Sequence, residues 1–286
     1  MDSHGWRLVY QHIRQADRSV PRYGRRPTYP DVLIVGMYLW TVAHDRPLCW
    51  ACDRSHYGSL FRPRRLPSVS QFCRRIQSLR CQEILQFVHA RLAQDEAITP
   101  LSFVDGRALV VGKHSRDPDA AIGWGRGRFE RGYKLHAWAT QDWRIPLWSV
   151  TPLNVDERAV ARRLVQQQPC GGLILADALY DSGPLYEHVA ALGAQWLTPM
   201  GKSNAGRGHR KPYPARLAAV SAWRGVAGYV HQERNTIERI FGSQSTLGGG
   251  LGPLPGWVRR LDRVRRWVGA KLILYHARLI VRRAAV

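Results

Sequence analysis

The sequence predicts an α/β fold: a mixed sheet flanked by helices, with a helical N-terminal region ahead of it. Three observations lead there. Residues 1 to 98 carry apolar side chains at helical spacing, and from about residue 99 the texture changes to short apolar runs. Those runs follow the order β-β-β-α-β-α-β-α, which describes a three-stranded meander feeding a parallel crossover. At 286 residues the chain has ample length for a substantial core, and its 45% apolar content is that of a globular protein.

In the first region, Asp31 to Ala43 follows Pro30 and reads as an apolar, aromatic-rich helix. A second helix is expected after Pro67, capped by Ser68 or Ser70, with Phe72, Ile76 and Leu79 on one stripe. Arg74 and Arg75 point away from that stripe, so this helix could be the DNA-reading element of a helix-turn-helix or an ordinary surface helix. The sheet is expected from Leu101 to Gly112, Lys134 to Thr140, Ile145 to Thr151, the run 173–177 and Gln195 to Thr198. Helices are expected over 156–168 and about 184–192. Three glycine-rich stretches, 123–132, 201–208 and 248–256, read as mobile loops, with Arg126, Arg128, Arg131, Lys202, Arg207, Arg210 and Lys211 in or beside the first two. Gly201-Lys202-Ser203 is no nucleotide-binding loop, because Trp196 stands where that motif needs its first glycine. The tail 256–286 reads as a basic amphipathic helix. The resulting division is 1–98, a helical region that the charge and the resemblance below mark as DNA-binding; 99–252, the sheet region that the resemblance makes the catalytic core; and 253–286, a basic C-terminal helix.

Charge narrows the function. Lys and Arg total 43 against 21 acids, a net charge of +22, so a polyanion such as DNA or RNA is the natural partner. No stretch reaches the roughly 18 to 20 apolar residues that span a bilayer, and the first residues show no signal-peptide core. The five cysteines form no secreted framework and are expected as reduced thiols, with Cys49-Trp50-Ala51-Cys52 a weak zinc signal.

Against this basic background the acids stand out. Leu101-Ser102-Phe103-Val104 runs into Asp105, and Leu173-Ile174-Leu175-Ala176 runs into Asp177. A desolvated carboxylate costs several kcal/mol unless something binds it. Asp105 and Asp177 can fall on neighbouring strands, and Glu238 borders the Ile237, Ile240 and Phe241 stripe of a later helix. Three such oxygens suit Mg²⁺, with Mn²⁺ as a substitute, and two ions about 3.5–4 Å apart can drive phosphodiester displacement. Each acid alone has an ordinary reading: Asp105 as a turn former, Asp177 as a cap, Glu238 as an ion-pair partner of Arg234. Asp181, Asp156 and Glu157 read as openers of helices rather than ligands.

Four blocks then bear a resemblance. Phe103-Val104-Asp105-Gly106, Gly132-Tyr133-Lys134-Leu135-His136, Leu175-Ala176-Asp177-Ala178-Leu179-Tyr180-Asp181-Ser182 and Arg234-Asn235-Thr236-Ile237-Glu238-Arg239-Ile240-Phe241-Gly242 resemble, in order, the signature blocks of bacterial insertion-sequence DDE transposases. The branch is the one with a tyrosine-arginine-glutamate-lysine motif. Arg234 matches its arginine, while His231 stands at the tyrosine position and Ser245 at the lysine position. The resemblance implies a ribonuclease H-like catalytic domain with Asp105, Asp177 and Glu238 as catalytic metal ligands. It also implies cleavage at terminal inverted repeats and transfer of the freed 3′-hydroxyl into target DNA. Lys134, His136, Arg234, His231, Arg74 and Arg75 are the candidate DNA contacts. The expected partners are double-stranded DNA and a second copy of the chain, in a cytoplasmic, nucleoid-associated protein. Two rival readings remain: a non-catalytic DNA-binding descendant of a transposase, and a nuclease of the same fold that makes no joined product.

Overall fold

The computed structural model describes residues 2–22, 24–25, 27–94, 100–125, 127–167, 171–200, 213–223, 230–246 and 250–284. The expected loop 201–208, with Lys202 and Arg207, lies outside the described residues, as do Arg126, Arg210 and Lys211. The chain groups into two units: residues 1–94 with 243–286, and residues 95–242.

The first unit is helical. Helices α1 (Ser3–Ser19), α2 (Asp31–Ala43), α3 (Val69–Ile76) and α4 (Leu79–Ala93) cover its N-terminal part. Ser68 and Gln71 close a reciprocal capping box on α3, as the Ser-x-x-Gln spacing allows. The C-terminal helix, Leu261–Ala284, packs on α1, α2 and α4. It is less amphipathic than its arginines suggest: from Lys271 to Ala277 every residue is buried, and the arginines cluster toward its two ends. Lys271 inside it is satisfied by the Val42 carbonyl and the Asp45 carboxylate, so a charged residue there is no sign of a solvated face.

The second unit carries the sheet. Its strands are β1 (Leu101–Val110), β2 (Ala121–Gly125), β3 (Arg128–Thr140), β4 (Leu147–Pro152), β5 (Gly172–Leu175) and β6 (Ala194–Leu197). They run in the order β2-β3-β1-β5-β6, with β4 also paired to β3. The pairings β1–β3 and β3–β4 are antiparallel, and β1–β5 and β5–β6 are parallel. Helix α5 (Glu157–Val165) packs on β3 and β4, while α6 (Gly183–Ala191) and α7 (Pro214–Ala222) pack on β6. This is the mixed sheet with flanking helices that the sequence predicts. Phe103, Val104, Tyr133, Leu135, Val150, Ile174, Leu175 and Trp196 form its interior. Helix α8 (Asn235–Thr246) begins in this unit.

One expected loop is a hairpin. Residues 123–132 contribute the end of β2 and the start of β3, turning at Gly127 with φ +78°. That φ lies in the left-handed region, which glycine adopts without steric cost. Among the described residues no helix is long and apolar enough to cross a membrane.

Candidate active site

Two parallel neighbours set the geometry. Phe103 on β1 lies opposite Leu175 on β5. Asp105 and Asp177 each follow that last pair by two residues, and they lie near enough that the Asp177 charge acts on the Asp105 carboxyl. The two strands end differently. β5 stops at Leu175, and Asp177 caps the short turn Ala178–Tyr180 by accepting from Leu179 N at 2.8 Å. β1 instead runs on through Asp105 to Val110, because β3 keeps pairing with it from Asp105 opposite Ala137 to Val110 opposite Gly132. Asp105 is therefore a mid-strand carboxylate with a side-chain exposure of 16%.

Helix α8 brings the third acid. Ile237, Ile240 and Phe241 are its buried stripe, and Glu238 stands beside it, 58% exposed. Arg107, two residues beyond Asp105, donates to the Phe241 carbonyl at 2.6 Å and so ties β1 to this helix. Arg234 links the acids: its guanidinium lies 3.5 Å from Asp105 Oδ2 and 2.8 Å from Glu238 Oε1.

The electrostatics are unbalanced. Burial pushes the Asp105 carboxyl up to about 7; the Gly106 N–H and Arg234 pull it down, while the Asp177 and Glu157 charges add to the rise. Burial also raises Asp177, again with Arg234 opposing. A single guanidinium thus answers acids that demand more positive charge than it supplies. That demand fits a divalent cation held by hard oxygen donors. Among the described residues no group of three or more His, Cys, Asp or Glu is arranged to hold a metal as it stands.

A fourth acid, which reading the chain for helix caps passed over, sits close by. Asp156 does cap α5, but Glu157 turns inward. It pairs with Lys134 and accepts from the Tyr180 hydroxyl at 3.0 Å. The signal in the sequence was Lys134 itself: a lysine within an otherwise buried strand needs an acid, and Lys134 is buried. Gly106 makes room for the pair. A Cβ built there would stand 2.6 Å from Glu157 Oε2 and 3.0 Å from Lys134 Cδ. The residue after Asp105 is thus a glycine for the sake of close approach, with no unusual φ involved.

The other candidate contacts are scattered. His136 is buried, its Nε2 2.9 Å from Thr151 Oγ1, and burial lowers its pKa to about 4, so it is a neutral interior ring. His231 lies 3.1 Å from the Ala176 carbonyl, next to Asp177, with its ring 4.8 Å from that of Trp223. In the helical unit, Arg75 pairs with the buried Asp31 and donates to the Tyr29 carbonyl at 3.2 Å, while Arg74 is exposed. Asp181 holds Arg216 through two bonds, of 2.7 and 2.9 Å.

A family model described as "Transposase DDE domain" matches residues 97–250, which include all three acids. No curated protein matches. Among solved structures, the chain is similar to one described as "Cryo-EM structure of piggyBac transposase synaptic complex with hairpin DNA (SNHP)". The TM-score is 0.52 at 9% identity, over 96% of this chain and 73% of that one. At that identity the likeness is one of fold.

Proposed function

The chain belongs to the Transposase DDE domain family, and from that premise we propose that it cuts DNA at the terminal inverted repeats of a mobile element and transfers the freed ends into target DNA. The observation that supports this reading is the parallel pairing of β1 and β5, which ends at Phe103 and Leu175, two residues before Asp105 and Asp177, with Glu238 joined to Asp105 through Arg234. Asp105, Asp177 and Glu238 would hold Mg²⁺, or Mn²⁺ in its place, which when bound supplies Lewis-acid activation of the attacking oxygen and stabilises the leaving one.

The protein's own groups do the rest. Water attacks the scissile phosphorus, the bridging P–O bond breaks, and the departing strand keeps a 3′-hydroxyl. In strand transfer that hydroxyl attacks a target phosphodiester, forming one P–O bond as another breaks. Arg234 is placed to hold Asp105 and Glu238 in position and to offer its guanidinium to a phosphate oxygen. Its match to the arginine of the tyrosine-arginine-glutamate-lysine branch supports that role. The partners of this reaction would be repeat-bearing and target duplexes and a second copy of the chain.

The test uses a plasmid carrying the gene with its native flanking DNA, incubated with the purified protein and Mg²⁺ or Mn²⁺. Nicked and joined products should form, and Asp105→Asn or Glu238→Gln should abolish both while leaving DNA binding intact. Undiminished nicking by either variant would remove the metal-ligand assignment. Binding without any cutting by the wild-type protein would favour a non-catalytic DNA-binding role, and cutting without joining a plain nuclease.

A further inference from the structure

The β2–β3 hairpin is built inside out. On β2 its inner face is glycine: a Cβ at Gly123 would stand 2.5 Å from the Leu153 carbonyl oxygen, and one at Gly125 would stand 2.9 Å from Ala108 Cβ. At these two positions β2 lies directly on its neighbours, while Glu130, the cross-strand partner of Gly123, is the buried inner side chain of β3. Its outer face carries the bulk. Trp124 and Phe129 are direct cross-strand partners, with ring centroids 5.4 Å apart and planes at 86°. Ile122 lies two residues along the same face. Their exposures are 63% for Ile122, 56% for Trp124 and 68% for Phe129. Three large apolar side chains grouped on one outward face of an edge hairpin are not explained by this unit's own packing, and grouped exposed apolar surface marks a binding site.

The charge around this face selects the partner. Among the described residues from 112 to 132, the exposed charged side chains are Lys113, Arg116 and Arg128, all cationic. The acids of the same stretch are turned inward or half-buried: Asp117 accepts from the Tyr133 hydroxyl at 2.6 Å, Glu130 takes the Arg128 Nε at 2.9 Å, and Asp119 is half-buried. The cation that shares the outer face is Arg131, the cross-strand partner of Ile122, and the exposed Arg128 adjoins Phe129 along β3. An aromatic face that carries a cation suits a π-system with negative charge, which is a nucleobase with its phosphate. Bases within a duplex already stack on one another, so the face can gain only from a base that is unpaired, at a strand end or turned out of the helix.

We propose that Trp124 and Phe129, flanked by Ile122, form a stacking platform for unpaired nucleobases of the DNA that this protein processes. The proposal rests on the transposase reading above and adds a contact outside the acidic site. Because these side chains are exposed, their truncation leaves the interior untouched, so loss of folding does not confuse the test.

The test is fluorescence anisotropy with two labelled probes, a blunt duplex and the same duplex with an unpaired 3′ overhang. The wild-type protein should bind the overhang probe more tightly. Trp124→Ala or Phe129→Ala should weaken overhang binding roughly ten- to a hundredfold while leaving the blunt duplex unchanged. Trp124→Tyr, which keeps a ring, should retain most of the preference. Equal losses on both probes, or none on either, would overturn the platform. So would a wild-type protein that does not distinguish the probes, and in that case the transposase reading stands. Failure of the wild type to bind either DNA would take both down. If the alanine variants instead convert a dimer to a monomer in sedimentation with overhang binding intact, the face is a self-association surface and the proposal is wrong.

Discussion

Two inward-facing aspartates in this very basic chain meet opposite electrostatic fates. Asp31 opens α2 in the helical unit and is only 2% exposed. Arg75 and Arg80 both pair with it, Arg22 approaches to 3.5 Å, and Arg80 also holds Asp17 at 2.6 Å. Asp105 in the sheet unit is half-buried, with 16% of its side chain exposed, and the cation it meets is Arg234 at 3.5 Å, shared with Glu238. Surrounding Asp31 with guanidinium groups makes it a structural node. Asp105 is left with one shared cation while the Asp177 charge adds to the rise in its pKa, and it is there that the proposed metal would add the missing positive charge. Burial alone does not mark a functional carboxylate; the balance of its partners does.

That contrast is sharpest if Asp31 is removed. Asp31→Ala leaves three arginines without their shared acceptor, and breaking a buried ionic cluster from one side costs about 3–5 kcal/mol. Urea unfolding followed by circular dichroism should show a drop of that size, and Asp31→Asn, which keeps an oxygen acceptor, should lose less. An unchanged midpoint for Asp31→Ala would show that these arginines are solvated without it, and would end its role as a node.

Asp105 should respond in the opposite direction. A carboxyl whose folded-state pKa is raised binds its proton more tightly in the folded protein than in the unfolded chain. Its ionisation therefore costs no stability below about 4, an increasing amount as pH rises toward about 7, and the full amount above that. Asp105→Asn should raise stability at pH 8 by as much as about 4 kcal/mol, from the rise to about 7 at 1.36 kcal/mol per unit. The gain should shrink to nothing near pH 4, while DNA cleavage is lost at every pH. Thermal melts across that range check this. A stability loss at pH 8 would mean that Arg234 satisfies Asp105 fully, and the contrast with Asp31 would disappear.

Much of this was legible along the chain, and the failures have physical causes. Phe103-Val104-Asp105 and Leu175-Ala176-Asp177 could be read because an apolar strand interrupted by one acid has few alternatives. The Asp31 to Ala43 helix and the Ser68 cap were visible for the same local reasons. Glu157 was not, because an acid in the first turn of a helix is the ordinary answer to the helix dipole, and only the fold turns it toward Lys134. The β2–β3 hairpin hid behind its glycines, which suggest a loop until the close approach to Leu153 gives them another purpose. The role of Asp31 was equally invisible, since arginines from three separate stretches of sequence converge on it.

The smallest effect expected tests whether the Glu157–Lys134 pair belongs to the active site or merely fills space beside it. Gly106→Ala leaves Asp105, Asp177 and Glu238 in place but puts a methyl group into the Glu157 carboxylate. Overpacking of this kind costs about 1–3 kcal/mol when the neighbours cannot yield. Glu157 is pinned on both sides, by Lys134 and by the hydroxyl of Tyr180, which closes the turn that follows Asp177. A displaced Glu157 should therefore pull on that turn and lower cleavage, with metal dependence shifted to higher Mg²⁺. Glu157→Gln, which keeps the shape and removes the charge, distinguishes the two roles. If it cleaves normally while Gly106→Ala does not, the pair acts by packing alone; if both fail at low Mg²⁺ and recover at high, Glu157 positions the turn that carries Asp177.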